Sequence, residues 1–476
     1  MVRYKLLNIL LALIPTFIFA GGGDHGSTPH LDGSAENLAI YWIIPFAGIL
    51  LSIAAFPLVA PDFWHHNFGK ISLFWATSLI VPFVIKEGFQ ITLYELLHVG
   101  LLEYIPFIIL LLALFTISGG VQLKGSLVGS PILNTAILAI GTLLASWMGT
   151  TGAAMLLIRP LIRANANRKN KVHVIVFFIF LVANIGGALT PLGDPPLFLG
   201  FLKGVNFFWT TTAMFFPMLF LVISLLIIFF ILDTYLYKKD NIIIEKELNP
   251  ERLGLEGSFN LLLLLGVIGG VLLSGFWKPN IKPFTIYYVD VELQNIARDI
   301  LLLGLTYASW ILTSQSIRKA NEYTWFPIVE VAKLFAGIFI TIIPAIAILK
   351  AGTEGALSAV VESVTNDGQP LNYMYFWMTG ILSSFLDNAP TYLVFFNTAG
   401  GDPNLLMGDL YETLLAISAG AVFMGANTYI GNAPNFMVKS IAETSGIKMP
   451  SFFGYFFKWS IPILVPLFII TTFIFF

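Results

Sequence analysis

The segment FFPMLFLVISLLIIFFIL runs from Phe215 to Leu232 without one charge. Similar runs recur from Ala39 to the last residue. An α-helix needs about 20 apolar residues to cross the roughly 30 Å hydrocarbon core of a bilayer. A polytopic α-helical membrane protein is therefore predicted. A membrane β-barrel would need short strands of alternating polarity, and that alternation is absent. Only 11% of the chain is charged and 57% is hydrophobic, with mean hydropathy +0.84. Soluble domains carry nearer a quarter charged residues. No basic stripe points to nucleic acid, and membrane lipids are the expected surroundings. The chain has no cysteine, which excludes disulfides and thiolate metal sites. CxxC, HExxH, GxSxG and P-loop patterns are also absent. Nothing points to an enzyme or to a cofactor.

The spans predicted from hydropathy are 39–60, 71–86, 102–122, 130–158, 172–202, 207–232, 258–276, 297–315, 329–350, 372–398, 411–438 and 453–476. Residues 1–20 read as a signal peptide or as a first transmembrane helix. Ile18 occupies a position where signal peptidase wants a small residue, so both readings stand. Basic loops face the cytoplasm. One such loop holds Arg159, Arg163, Arg168, Lys169 and Lys171, another Lys238, Lys239, Lys246 and Arg252, and a third Arg318 and Lys319. Segments 351–371 and 399–410 have no Lys or Arg and are placed outside, although Lys278 and Lys282 then fall outside as well. By this count segment 130–158 has both ends inside, and 372–398 has both ends outside. Each is predicted to be a re-entrant hairpin. Irregular backbone at that depth is tolerated only in protein or against a water-filled cavity.

Two breaks fall within apolar runs, GGALTPLGDPPLF at 186–198 and GANTYIGNAPNF at 425–436. Identities at Gly187, Ala188, Thr190, Gly193, Pro196 and Phe198 align the first with the second without a gap, setting Gly193 on Gly431. The same register places Ser146 on Ser384, Gly149 on Asp387, Thr150 on Asn388 and Thr151 on Ala389. The hairpins thus share the register of the breaks. Opposite membrane entry then predicts inverted-topology repeats, a plan in which substrates bind at the repeat interface near midplane. The expected organisation is N-terminal scaffold helices at 39–90, repeat 1 at 91–235, a linker with scaffold helices at 236–320, and repeat 2 at 321–476. A weaker match sets YIP at 104–106 on WFP at 325–327.

Hairpin, broken helix, hairpin, broken helix resembles the order of the ion transporter superfamily. FLDNAPTYL and PLGDPPLFLGF are most similar to its branch of NhaD-type sodium/proton antiporters and citrate carriers. The resemblance covers about residues 90–476. It implies a homodimer, a fixed scaffold and a mobile transport domain working by an elevator-like displacement. Hairpin 1 reads TTGA where sodium-coupled dicarboxylate carriers have Ser-Asn-Thr, and hairpin 2 also lacks that signature.

A broken helix exposes carbonyl oxygens at one half's end and amide N–H groups at the start of the next. Proline makes the break by removing a donor and clashing with the preceding turn. A carboxylate at such depth marks an ion pathway or proton relay. Asp194 and Asp387 are the two candidates, and each has an alternative role as a helix cap. Two carboxylates suit Na⁺ and H⁺, which compete for one negative charge, and disfavour an anion. The expected Na⁺ ligands are Asp387, Asn388 and Asp194. Thr150, Thr151, Ser146, Ser384 and Thr391 are expected around them, with Asn427, Thr428 and Asn432. Gly193 and Gly431 are expected to supply backbone geometry at the same site. Lys333 is a candidate charge partner, with snorkelling and a local pair to Glu330 as the alternative. His65 and His66 are placed in a short cytoplasmic loop. Alternating-access Na⁺/H⁺ antiport in a bacterial inner membrane is the expected function. Sodium-coupled citrate or dicarboxylate transport is the alternative, and a passive channel is a third class.

Overall fold

A computed structural model describes residues 29, 31–34, 37–240 and 252–476. The candidate signal peptide or first helix at 1–20 and Lys246 lie outside these residues. The described residues are mainly helical, with three two-stranded ladders and no larger sheet. Among the described residues eight helices are long and apolar enough to cross a membrane, or nine with one bent pair.

The chain opens with α1 (Ile44–Val59), α2 (Pro61–Glu87) and α3 (Phe89–Val99). A π turn at Gly100–Tyr104 joins α3 without interruption to α4 (Ile105–Ser118). Next come α5 (Pro131–Met148), α6 (Thr150–Ala164), α7 (Val172–Leu181), α8 (Pro195–Leu202) and α9 (Phe207–Asp240). After α10 (Phe259–Phe276) and α11 (Leu293–Leu312) follow α12 (Phe326–Thr341) and α13 (Ile343–Lys350), bent by 43°. The rest is α14 (Asn372–Phe385), α15 (Asn388–Thr398), α16 (Tyr411–Met424), α17 (Ala433–Thr444) and a last helix from Phe452, in part a π-helix, that ends as α18 (Val465–Phe475). Proline opens many of them, as at Pro61, Pro131 and Pro195, because an N–H at the first helical position has no acceptor within the helix.

Both predicted hairpins fold back on themselves. Asn134 of α5 and Asn165, just past α6, exchange side-chain hydrogen bonds at 2.9 and 2.8 Å. In the second hairpin Tyr375 of α14 packs on Phe395 of α15 with ring centroids 6.3 Å apart. The first turns at Gly149, whose φ of +80° is easy only for glycine. The second turns through Leu386 and Asp387.

The hairpin bases lie at opposite ends of α9, a helix about 50 Å long at 1.5 Å per residue. Near its C-terminal end Asp233 accepts from Asn134 at 3.0 Å. At its start the Asn206 amide meets Met407, just beyond the second hairpin, at 3.2 Å. The two hairpins therefore enter from opposite sides. At the centre lies α7, in a span that is 89% buried, whereas the span of α9 is 28% buried and faces outward. Hairpins and breaks enclose this core.

Several expectations need correction. His65 and His66 lie in the first turns of α2 rather than in a loop, and His65 stacks on Phe326 at 4.5 Å. The span predicted at 71–86 is part of the longer α2, and that at 102–122 begins at Phe89. Arg168 is no exposed topology marker, since it is buried in an ion pair with Asp233. Lys282, which falls on the outer side of the charge count, is paired with Asp290 at 2.5 Å. That ammonium holds the Asp290 carboxyl below its ordinary range by donating to it.

Candidate functional site

A single carboxylate joins all four irregular elements. Asp194 ends the first break and is 1% exposed. Its Oδ2 accepts from Asn388 Nδ2, at the tip of the second hairpin, at 2.6 Å. Its Oδ1 accepts from Asn432 Nδ2, in the second break, at 3.0 Å. Thr150 Oγ1, at the tip of the first hairpin, donates to the same oxygen at 3.4 Å. Asn432 also donates to the Ala183 carbonyl at 3.1 Å. Asn184 bonds Asn435 across the repeats at 2.7 Å. The two halves are tied together here by side-chain amides.

Around this centre both repeats build the same frame. Ser146 Oγ donates to the Gly186 carbonyl at 2.5 Å, and Ser384 Oγ donates to the Met424 carbonyl at 3.0 Å, each 40 residues on. The Leu189 amide donates to Ser146 Oγ at 3.1 Å, where Asn427 Nδ2 donates to Ser384 Oγ at 2.9 Å, each 43 residues apart. Thr190 Oγ1 donates to the Ser146 carbonyl, and Thr428 Oγ1 to the Ser384 carbonyl. Gly193 and Gly431 hold the backbone in close approach. A Cβ on Gly193 would sit 2.1 Å from the Gly187 carbonyl oxygen, and one on Gly431 2.5 Å from that of Gly425.

Asp387 lies differently. It is only half-buried and caps α15, its Oδ1 accepting from the Ala389 amide at 3.0 Å. Thr391 donates back to the Asp387 carbonyl at 3.0 Å. Asp387 is linked to the site through its chain neighbour Asn388, which donates to Asp194 at 2.6 Å. Asp194, by contrast, makes no capping bond to α8. Lys333 lies over the Phe68 ring at 5.5 Å, and Glu330 accepts from Trp64 Nε1 at 3.2 Å. Among the described residues Lys333 makes no ion pair with either aspartate.

A cavity of about 100 Å³ reaches Asp194 between the first hairpin tip, the first break, α4 and α12. Thr150, Thr151 and Gly193 line it, and among the described residues Asp194 is its only ionisable wall residue. The buried carbonyl oxygens Asn184 Oδ1, Asn388 Oδ1 and Asn427 Oδ1 have no hydrogen-bond partner among the described residues. Unpaired buried acceptors are costly, and a cation satisfies them. Anion-binding amides are scarce. Pro195 and Pro196 open α8, Pro434 is second in α17, and the Ala389 amide is taken by Asp387. The arrangement suits a small cation or a proton and is poorly made for an anion.

Two buried polar groups escape a reading of the sequence. Asp233 gathers Arg168, Asn134 and His173, the last at 2.7 Å, at the base of the first hairpin. The available signal is an aspartate one residue beyond a predicted span. Glu103, in the π turn, pairs with Lys203 at the end of α8 at 2.5 Å. A single glutamate inside an apolar run is the clue there.

The family described as "Putative citrate transport" matches residues 35–476. No curated protein matches the chain.

Proposed function

The chain belongs to that citrate-transport family, and from this premise we propose a secondary active transporter that exchanges Na⁺ for H⁺ at Asp194. The observation that carries this reading is the convergence of both hairpin tips and both breaks on one buried carboxylate. Burial favours the protonated carboxyl and a neighbouring cation the ionised one, so the two ions compete for the same group. In the sodium-bound form, Asp194 and the free Asn388 carbonyl oxygen are ligands, with Asp387 adding charge nearby. In the protonated form Asp194 becomes a hydrogen-bond donor, and the amides around it rearrange to accept.

Alternating access follows from moving hairpins and breaks together past α1–α4 and α10–α12. The small cavity is bounded on one side by Thr150 and Gly193 and on the other by α4 and α12, and so lies along that boundary. A homodimer in a bacterial inner membrane belongs to the same reading. The family description favours a second one, sodium-coupled citrate uptake. The scarcity of free amides and cationic side chains at Asp194 weighs against it.

The test is purified protein in proteoliposomes that enclose a pH-sensitive dye. A Na⁺ pulse is expected to drive proton movement in the opposite direction. If Na⁺ moves no protons while a sodium gradient drives accumulation of labelled citrate, antiport is wrong and citrate transport replaces it.

A further inference from the structure

A second and larger cavity, about 760 Å³, lies at the N-terminal end of α9, and Asp194 is not among its lining residues. It is walled by the end of α8, the starts of α9 and α11, and the end of α10. Its volume falls in the range of small-molecule sites. One wall is apolar, with Leu102, Phe201, Phe208 and Phe276. Phe208 and Phe276 are also 44% and 73% exposed, on helices α9 and α10 that are long and apolar enough to cross a membrane.

The remaining lining is polar, with Asp290 and Glu292 beside Lys278, Lys282 and Arg298, and is incompletely bonded. Arg298 is 3% exposed, with Nε on Asp299 at 2.8 Å and Nη1 on Asn295 at 3.2 Å. Its Nη2 has no acceptor among the described residues, and neither does the buried Trp209 Nε1. Gln294 uses Nε2 on Glu292 at 2.5 Å and leaves Oε1 without a donor. Leaving such groups unsatisfied in a buried wall is costly, and more so for a charged group. Two unused N–H donors, one of them cationic, call for an oxyanion. A bare oxyanion would leave the aromatic wall unfilled.

We propose that this cavity binds an anionic glycerophospholipid, its phosphate on Arg298 and Trp209 and an acyl chain along Leu102, Phe201, Phe208 and Phe276. Lys278 and Lys282 at the polar rim add positive charge, Lys282 against its partner Asp290. The depth is right for a headgroup, because the site lies where α8 and α10 end and α9 and α11 begin. The site is independent of which ion the protein carries, since none of its residues is a side-chain hydrogen-bond partner of Asp194.

The experiment is native mass spectrometry and thermal unfolding of the full chain in detergent. The probes are dioleoylphosphatidylglycerol, dioleoylglycerol without the phosphate, inorganic phosphate and citrate. Phosphatidylglycerol is expected to bind and raise Tm, and the other three to do neither. Arg298→Gln and Trp209→Phe are each expected to weaken the lipid at least tenfold, the second while keeping the ring. If Arg298→Gln does not fold, Trp209→Phe decides. Equal binding by inorganic phosphate or citrate would make the cavity a free-oxyanion site and overturn the lipid assignment. Undiminished lipid binding in the variants would overturn it as well.

Discussion

The two breaks share a frame and differ in their charge. Ser146, Thr190 and Gly193 have the same partners in repeat 1 that Ser384, Thr428 and Gly431 have in repeat 2. The shared positions make backbone geometry. At the unshared positions, Asp194 stands where repeat 2 has Asn432, and Asp387 where repeat 1 has Gly149. Asp194 is buried and bonded across the repeats, while Asp387 is half-buried and caps its own helix. Symmetry builds the chamber and asymmetry charges it.

The shared frame has the largest expected penalty. Gly193→Ala sets a Cβ 2.1 Å from a backbone oxygen, and Gly431→Ala does so at 2.5 Å. Backbone cannot yield as a flexible side chain does, so each costs about 3 kcal/mol or more. Gly193→Ala is expected to give little monodisperse protein by size-exclusion chromatography, and Gly431→Ala a lowered Tm. A Gly431→Ala protein as stable as wild type would mean that the two frames are not equivalent.

The charge is tested by making repeat 1 resemble repeat 2. Asp194→Asn keeps the volume and removes the carboxylate, and exchange measured with the pH dye is expected to fall at least about 100-fold, or about 2.7 kcal/mol. Moving the charge across should not restore it. Adding Asn432→Asp to Asp194→Asn points a carboxylate at the Ala183 carbonyl, which Asn432 now meets as a donor at 3.1 Å. Recovery of exchange in that double variant would show the position of the carboxylate to be interchangeable between the repeats.

Much of this is legible in the sequence, for physical reasons. Prolines and glycines inside apolar runs are too costly to be accidental, and the register that sets Gly193 on Gly431 carries over into the hydrogen bonds of Ser146 and Ser384. The direction of hairpin entry follows from loop charge, because basic loops resist translocation. What one sequence does not display is the reach of a side chain. Asp194 and Asp387 both read as carboxylates before a proline-containing helix, with Asp387 the stronger candidate as a hairpin tip. Only packing reveals that Asp387 satisfies its neighbour's amide while Asp194 turns away from α8. Arg168 reads as an exposed loop charge because its partner Asp233 lies on another helix, beyond both α7 and the first break. Lys333 and Glu330, one turn apart, read as a pair, yet each lies against an aromatic ring of α2.

The donors around Asp194 come next in size. A hydrogen bond to a charged group contributes about 1.5–3 kcal/mol. Asn388→Ala and Asn432→Ala each withdraw one donor from the ionised carboxylate that Na⁺ requires, and Asn388→Ala also removes the proposed carbonyl ligand. Each is expected to raise the half-saturating Na⁺ concentration roughly tenfold. Because both amides serve the same carboxylate, the double variant is expected to cost less than the product of the single effects. Full multiplicativity, measured by ²²Na⁺ uptake, would imply that the two hairpin and break contacts act separately.

The smallest effect is expected at Asp387, and it bears most directly on the contrast. Asn caps a helix about as well as Asp, so Asp387→Asn keeps the bond to Ala389 and removes only a charge. Since Asp387 makes no bond to Asn432 or Thr150, its loss acts on the site through distance, and exchange is expected to fall only a few-fold. Asp387→Ala removes the cap as well and costs about 1 kcal/mol of stability, read as a lower Tm. If Asp387→Asn instead abolishes exchange as completely as Asp194→Asn, the half-buried carboxylate is an obligatory ligand. The second hairpin tip would then have to close further over the site than it does here, and the charge asymmetry between the repeats would be a pair of equal partners.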